Sequence, residues 1–362
     1  MGFQLFDIYG FKGLLLGYCI YTLPIAFMLI NNTFKYIDKK FFIVSKLMGD
    51  NSLKTFYITI FRPLIGTLAA SFIQSFFLSF TDFGIPASVG GKYNVVATAL
   101  YNQMLGAIPN FNKGAVVAMI MLLPSIVSII ILTYLERFNF RYNKISTIEI
   151  RKNIVRDTIL GLFSVITIVS VLSIFAVIFV VPFVKEWPYN TTFSLYNIQK
   201  ILSTSDLLNV YINSLIVAFT TALLGTFIAY GAALATSRSN ISQKSKSVIE
   251  AIALTTNTIP GMVIGIAYLL LFSGSSLQNT FIIIIICNIV HYFSTPYLMM
   301  KTSLSKMNSS WETTAMLMGD SWFKTIIRVV TPNLSSTILE VFSYYFTNAM
   351  VTISAVIFIA GA

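Results

Sequence analysis

The chain has 362 residues, 56% of them hydrophobic and only 10% charged, with a mean hydropathy of +0.80. A soluble globule of this length has no core large enough to bury so much apolar surface, so the composition excludes a soluble fold and predicts an integral membrane protein. The net charge of +11 and pI near 9.5 would also suit a nucleic-acid binder, and the placement of the charges decides between the two.

Gly13 to Ile30 is the first predicted span, broken by Pro24, and it leads to a basic loop from Lys35 to Arg62. Pro63 to Thr81 returns outward, and Asp82-Phe83-Gly84-Ile85-Pro86 opens an external segment with turn chemistry before Gly114 to Leu135 crosses back. A charged connector follows. Thr158 to Val184 goes out, ending at Trp187, Pro188 and Tyr189, whose amphipathic rings suit the headgroup level. Leu208 to Leu234 returns, Val248 to Phe272 goes out through Pro260-Gly261, Phe281 to Met300 comes in, and Asn333 to Ile359 heads out. That gives about eight spans of roughly twenty residues, all expected to be helices because lipid offers no partner to a free backbone group.

This threading places 19 of the 24 Lys and Arg residues on one side of the membrane, and the positive-inside rule makes that side cytoplasmic. The basicity is therefore a topology signal, and no nucleic-acid partner is expected. Cys19 and Cys287 fall inside spans and read as small core residues.

The two cytoplasmic islands resemble each other. Leu47-Met48-Gly49-Asp50 with Lys54 and Thr55 recurs as Leu317-Met318-Gly319-Asp320 with Lys324 and Thr325, 270 residues later, and Pro63 recurs one residue short of that offset as Pro332. So long a period indicates two copies of one membrane unit. The expected organisation is the C-terminal part of a first unit at 1–140, with three spans and its loop at 35–63; a connector at 141–157; and a second unit at 158–362, with five spans and its loop at 301–332. On this register the chain is expected to be a piece of a longer, twelve-span, two-unit protein, or half of a split gene.

Such an island, with small residues, a Gly for close approach and a Pro that starts the next span, suits a peg that a cytoplasmic partner can grip. Glu312, Ala315 and Gly319 follow the i, i+3, i+7 spacing of one helix face, so one groove could take all three.

Other polar residues carry weaker signals. Asp82 at the outer end of its span suits either turn capping or the mouth of a pathway, and Thr352 and Ser354 stand at the matching place in the second copy. Glu250 reads as a charge paired with Lys244 or Lys246, and His291, without a Cys or carboxylate at metal spacing, as a packing or hydrogen-bonding residue. Gly225 and Gly231 among alanines make one face of Leu208 to Leu234 small enough for close helix packing.

The island Glu312-Thr313-Thr314-Ala315, with Gly319 and Pro332, resembles the EAA loop of binding-protein-dependent ABC importer permeases. The family's Glu-Ala-Ala stands here as Thr313-Thr314-Ala315 with Glu312 one place early, and as Ile43-Val44-Ser45 in the first copy. Thr81 to Pro86, Gly90 to Val95, Asn348 to Val356 and Trp187 to Asn190 are similar to the fused permeases of the 2-aminoethylphosphonate and iron(III) group.

The resemblance spans essentially the whole chain. It implies an all-α, polytopic helical bundle of the type I importer permease fold, in a bacterial inner membrane. It further implies a cytoplasmic ABC ATPase dimer and an extracytoplasmic solute-binding protein as partners, with ATP consumed by the former and no cofactor or catalysis in this chain. Glu312, Ala315, Gly319, Asp320 and Pro332, with Gly49, Asp50 and Pro63, would couple to the ATPase, and Asp82, Thr352 and Ser354 would line the path. The cargo would be a phosphonate or iron(III). Two rival readings are an ion-gradient-driven secondary transporter, which needs paired carboxylates near mid-bilayer, and a membrane scaffold, which leaves the duplicated loop without a role.

Overall fold

The computed structural model describes residues 9–34, 39–135, 153–256 and 259–360. Most of the predicted connector, 141–152, lies outside the described residues. The chain is helical, with a two-stranded hairpin among the described residues. In order come α1 (Phe11–Phe34), α2 (Lys39–Leu47), α3 (Ser52–Phe56), a π-turn (Tyr57–Phe61), α4 (Arg62–Thr81), α5 (Gly84–Val89), α6 (Val96–Leu105), α7 (Phe111–Leu135) and α8 (Ile154–Val180). The hairpin, β1 (Val184–Glu186) and β2 (Asn190–Phe193), carries Trp187, Pro188 and Tyr189 at its tip. Then follow α9 (Tyr196–Ser203), α10 (Ser205–Arg238), α11 (Gln243–Thr255), α12 (Gly261–Phe272), α13 (Phe281–His291), α14 (Ser294–Lys306), α15 (Ser310–Leu317), α16 (Trp322–Thr325), a second π-turn (Ile326–Val330), α17 (Thr331–Asn333), α18 (Ser335–Val351) and α19 (Ile357–Ala360).

Among the described residues five helices are long and apolar enough to cross a membrane, and α13 with α14, bent by 53°, makes a sixth. The other two predicted spans exist in pieces. Val248 to Phe272 is interrupted before Pro260, which lacks an N–H and pushes the residue ahead of it out of helical geometry. Asn333 to Ile359 is interrupted at Thr352, where the backbone turns extended (φ −70°, ψ 117°). Conversely, Pro24 does not break α1, which runs through it; a membrane helix tolerates a proline where neighbouring groups take up the freed carbonyl.

The chain forms two compact units. The first comprises Met1–Leu15, Phe77–Ile131 and Ser214–Ala362. Part of its core joins α10, α11, α14 and α18 through Ala222, Ala229, Ala233, Ala253, Tyr297, Met300 and Tyr345. In lipid such contacts are held by close packing, since apolar burial alone gives no preference over acyl chains. Gly225 meets this need: a Cβ there would lie 2.8 Å from the Tyr345 ring, whereas Gly231 faces open space. A second core packs Phe83, Leu100, Met104 and Met121 with Met262, Ile266 and Phe358. The helix ends keep the repeat offset, α4 stopping at Thr81 and α18 at Val351.

The second unit comprises Leu16–Phe76 and Leu132–Asn213. There Thr33 Oγ1 of α1 bonds Thr67 Oγ1 of α4 at 2.8 Å, an inter-helix bond of the kind small hydroxyls make in membranes. Cys287 is buried as expected, but Cys19 is exposed on α1; α1 buries little inside this chain, so its side chains face outward.

Candidate functional site

Both polar islands close a short helix with the same bonds. After α2 the amide of Gly49 donates to Lys46 O (3.1 Å) and that of Asp50 to Ser45 O (3.2 Å). After α15 Gly319 donates to Met316 O (3.0 Å) and Asp320 to Ala315 O (3.1 Å). This is the Schellman cap, which requires a left-handed backbone at its glycine. Gly49 has φ +75° and Gly319 φ +92°, and a Cβ on either would meet nothing within 4 Å. Within this chain the glycines serve backbone conformation, which corrects the expectation of close approach.

The next helix starts alike in both copies. Asn51 Oδ1 accepts from Lys54 N at 2.8 Å and Ser321 Oγ from Lys324 N at 3.4 Å. Asp50 pairs with Lys54 Nζ and Asp320 with Lys324 Nζ, each at 2.6 Å. The π-turns follow, with the Arg62 amide reaching Tyr57 O and the Thr331 amide reaching Ile326 O. A widened turn relieves the clash of the coming proline, Pro63 or Pro332, with the carbonyl four residues back. Because α3 has five residues and α16 four, the prolines fall one residue off the repeat offset.

The loops differ in what holds them. Ser45 Oγ donates to Asp50 Oδ2 (2.8 Å) and lies 3.1 Å from Thr55 Oγ1, a link that Ala315 has no hydroxyl to make. The bonds from Lys54 and Ser45 hold the Asp50 carboxyl below the usual carboxylate range. In the second loop Arg328 Nη1 stands 3.8 Å from Asp320.

Glu312 has an anchor of its own. Its Oε1 lies 2.9 Å from Arg238 Nε, with side chains 9% and 13% exposed, and Arg238 Nη2 donates to Leu304 O (2.7 Å) and Met307 O (2.8 Å). Arg238, the last residue of α10, thus ties α15 to the end of α14. Sequence reasoning missed it; the available signal was a lone basic residue ending a small-residue span, with a carboxylate on the island. The repeat places Phe42 where the second loop has Glu312.

Glu312 and Ala315 are buried against their own chain, and Gly319 lies beyond the end of α15, so the three do not share one exposed face. What each loop presents instead is its Leu-Met pair: Leu47 is 81% and Met48 76% exposed, Leu317 84% and Met318 81%. Pro332 is exposed and Pro63 half-buried.

On the opposite end of the spans, Asp82 accepts from Gly84 N (3.3 Å) and Ile85 N (2.9 Å), capping the start of α5, while burial pushes its carboxyl up. Thr352 Oγ1 bonds Tyr292 Oη at 2.6 Å, and Ser354 Oγ lies beside Gly261 and His291. Asp82 is not brought to these two residues by any bond described. Glu250 pairs with Lys301 at 2.6 Å, and not with Lys244 or Lys246, because α11 and α14 pack side by side.

Comparison with known proteins fits this geometry. The family model described as "Binding-protein-dependent transport system inner membrane component" matches residues 3–141 and 223–362. The chain belongs to this family. The permease is also similar to chains named as ferric transport system permeases: FbpB 1 of Haemophilus influenzae (28% identical over 371 residues, 98% of this chain and 57% of that one) and FbpB of Actinobacillus pleuropneumoniae (28% over 370 residues, 98% and 53%). It spans about half the length of these curated relatives. Its fold is that of the type I importer permease, and its place is the inner membrane as a multi-pass protein.

Proposed function

We propose that this permease forms the membrane path of an ATP-driven importer of ferric iron, which an extracytoplasmic binding protein delivers and a cytoplasmic ABC ATPase dimer drives. The observation that carries the reading is the duplicated loop: two Schellman-capped islands, each projecting an exposed Leu-Met pair from the cytoplasmic end of a span. Exposed apolar side chains on a polar, water-facing loop form a surface that a partner covers. In this reading Leu47, Met48, Leu317 and Met318 touch the ATPase. Gly49, Asp50, Gly319 and Asp320 fix the loop's shape, Pro63 and Pro332 set the π-turns, and Glu312 and Ala315 seat the second loop on its own unit. The second loop, held by the Arg238 pair, is the stronger grip.

Iron(III) is favoured over a phosphonate because both similar chains carry ferric transport in their names. Domain roles follow the repeat, with a first unit to residue 140 and a second from 158. The interrupted helices α12, α13–α14 and α18–α19 also suit a secondary transporter. That reading needs a carboxylate at the interruptions, where the described residues place His, Tyr, Thr and Ser.

The test is uptake of radioactive iron(III) into vesicles holding the intact permease with its ATPase and binding protein. ATP-dependent accumulation supports the proposal. Accumulation driven by an ion gradient alone, without ATP, overturns it.

A further inference from the structure

Three helix interruptions of the first unit meet at one point. They are the start of α12 at Gly261, the bend between α13 and α14 at Tyr292-Phe293, and the break after α18 at Thr352. A Cβ on Gly261 would lie 2.9 Å from Ser354 Oγ and 3.0 Å from His291 Nε2, so those two side chains converge on it. Tyr292 Oη bonds Thr352 Oγ1, and the Tyr292 ring stands 4.4 Å from His291 and 6.2 Å from Tyr344, centroid to centroid. A Cβ on Gly265, one turn on, would run into the Ala355 carbonyl, so the bare glycine lets α12 lie against the turn that follows Thr352.

The depth of this node follows from the bend itself, which falls between the 11 residues of α13 and the 13 of α14, the pair that together is long and apolar enough for one span. His291, the last residue of α13, therefore stands near the middle of that span. His291, Tyr292, Tyr344, Thr352 and Ser354 are all half-buried there. Polar groups left partly open at mid-membrane face a water-filled path or another protein surface, because acyl chains offer them no partner. Two groups remain unsatisfied: His291 Nδ1, and both amide atoms of Asn288, fully buried one turn earlier on the same face of α13.

We infer that this node is a station for the cargo inside the membrane, where a hydrated, hydroxide-bearing trivalent cation is held by hydrogen bonds to neutral imidazole, phenol and hydroxyl groups. The inference rests on the ferric-importer reading. Neutral donors suit transport, because an ion in transit must be bound well enough to enter and weakly enough to leave. Among the described residues no cluster of three His, Cys, Asp or Glu exists that would trap it. Gly261 keeps the space open, since any side chain there would occupy the point on which Ser354 and His291 converge.

The experiment compares wild type, His291→Ala, Tyr292→Phe and Gly261→Ala in the intact permease with its ATPase and binding protein, loaded with radioactive iron(III). Uptake and the stimulation of ATPase activity by loaded binding protein are read in parallel. The expected result is a loss of uptake of about tenfold or more in His291→Ala and Gly261→Ala, and a smaller loss in Tyr292→Phe, with stimulated ATPase activity kept within about twofold. Uptake at the wild-type rate in His291→Ala and Tyr292→Phe overturns the station. A parallel fall of uptake and ATPase activity in all three variants also overturns it, because the node then serves packing. No iron uptake by wild type refutes the ferric reading itself, and the two failures are thereby distinguished.

Discussion

Arg238 Nε lies 2.9 Å from Glu312 Oε1 at the C-terminal end of α10, and the same guanidinium closes the C-terminus of α14 through the Leu304 and Met307 carbonyls. One side chain therefore joins the seat of the second loop to the helix that bends at the mid-membrane node. Removing either charge leaves the other buried alone, at a cost of about 3–5 kcal/mol. Glu312→Gln and Arg238→Gln should each lower the unfolding free energy of the detergent-solubilised chain by that order, and the double variant by less than the two added. A thermal or denaturant melt checks this, and strict additivity would mean that the pair is not coupled.

Gly319 sits at φ +92° with open space around its missing Cβ. Gly319→Ala should cost about 1–2 kcal/mol through backbone strain alone, and Gly319→Asn less, since Asn tolerates the left-handed region. If the alanine variant is as stable as wild type in the same melt, the cap is not what shapes the loop.

Asp82 accepts two backbone amides at the start of α5. Asp82→Ala should destabilise by about 1 kcal/mol, as loss of a cap does, while Asp82→Asn, which keeps an acceptor oxygen, should stay near wild type in both stability and transport. Transport lost in Asp82→Asn at unchanged stability would instead give Asp82 a role in the path.

Asp50 is held below its ordinary value of 3.8, first by the bond from Lys54 and then by that from Ser45. A depressed carboxylate contributes its stability above that ordinary value and loses it as pH falls through the folded value. Ser45→Ala should therefore move the Asp50 titration up toward 3.8, read by carboxyl carbon NMR. An unmoved titration would show that the Ser45 bond does not hold the carboxylate.

How much of this was legible in the sequence varies with the physics involved. The long apolar helices were, because hydropathy reports directly on lipid, and so were the paired loops, because the repetition of Leu-Met-Gly-Asp and Lys-Thr exposes them, although the left-handed cap at Gly49 and Gly319 was not. The interruptions at Gly261, Tyr292 and Thr352 were not, since each becomes a junction only through the other two, and residues about 30 to 90 positions apart announce no common point. Arg238 was hidden for the same reason: its partners, Glu312 and two carbonyls, lie 66 to 74 residues away. The inward burial of Glu312 and Ala315 was also illegible, because helical spacing identifies a face without saying which way it points.

Site-directed cross-linking tests most directly whether the two Leu-Met pairs are the contacts with the ATPase. With Cys19 changed to serine and Cys287 left in its buried place, single cysteines at Met48 and Met318 would be reacted with a short bifunctional thiol reagent in membranes containing the ATPase subunit. A cross-linked permease–ATPase product is predicted from both positions, stronger at Met318, with none from a control cysteine at Tyr189 on the hairpin tip. Absence of the product at both Met48 and Met318, in membranes where ATP still drives uptake, would contradict the coupling role of these loops.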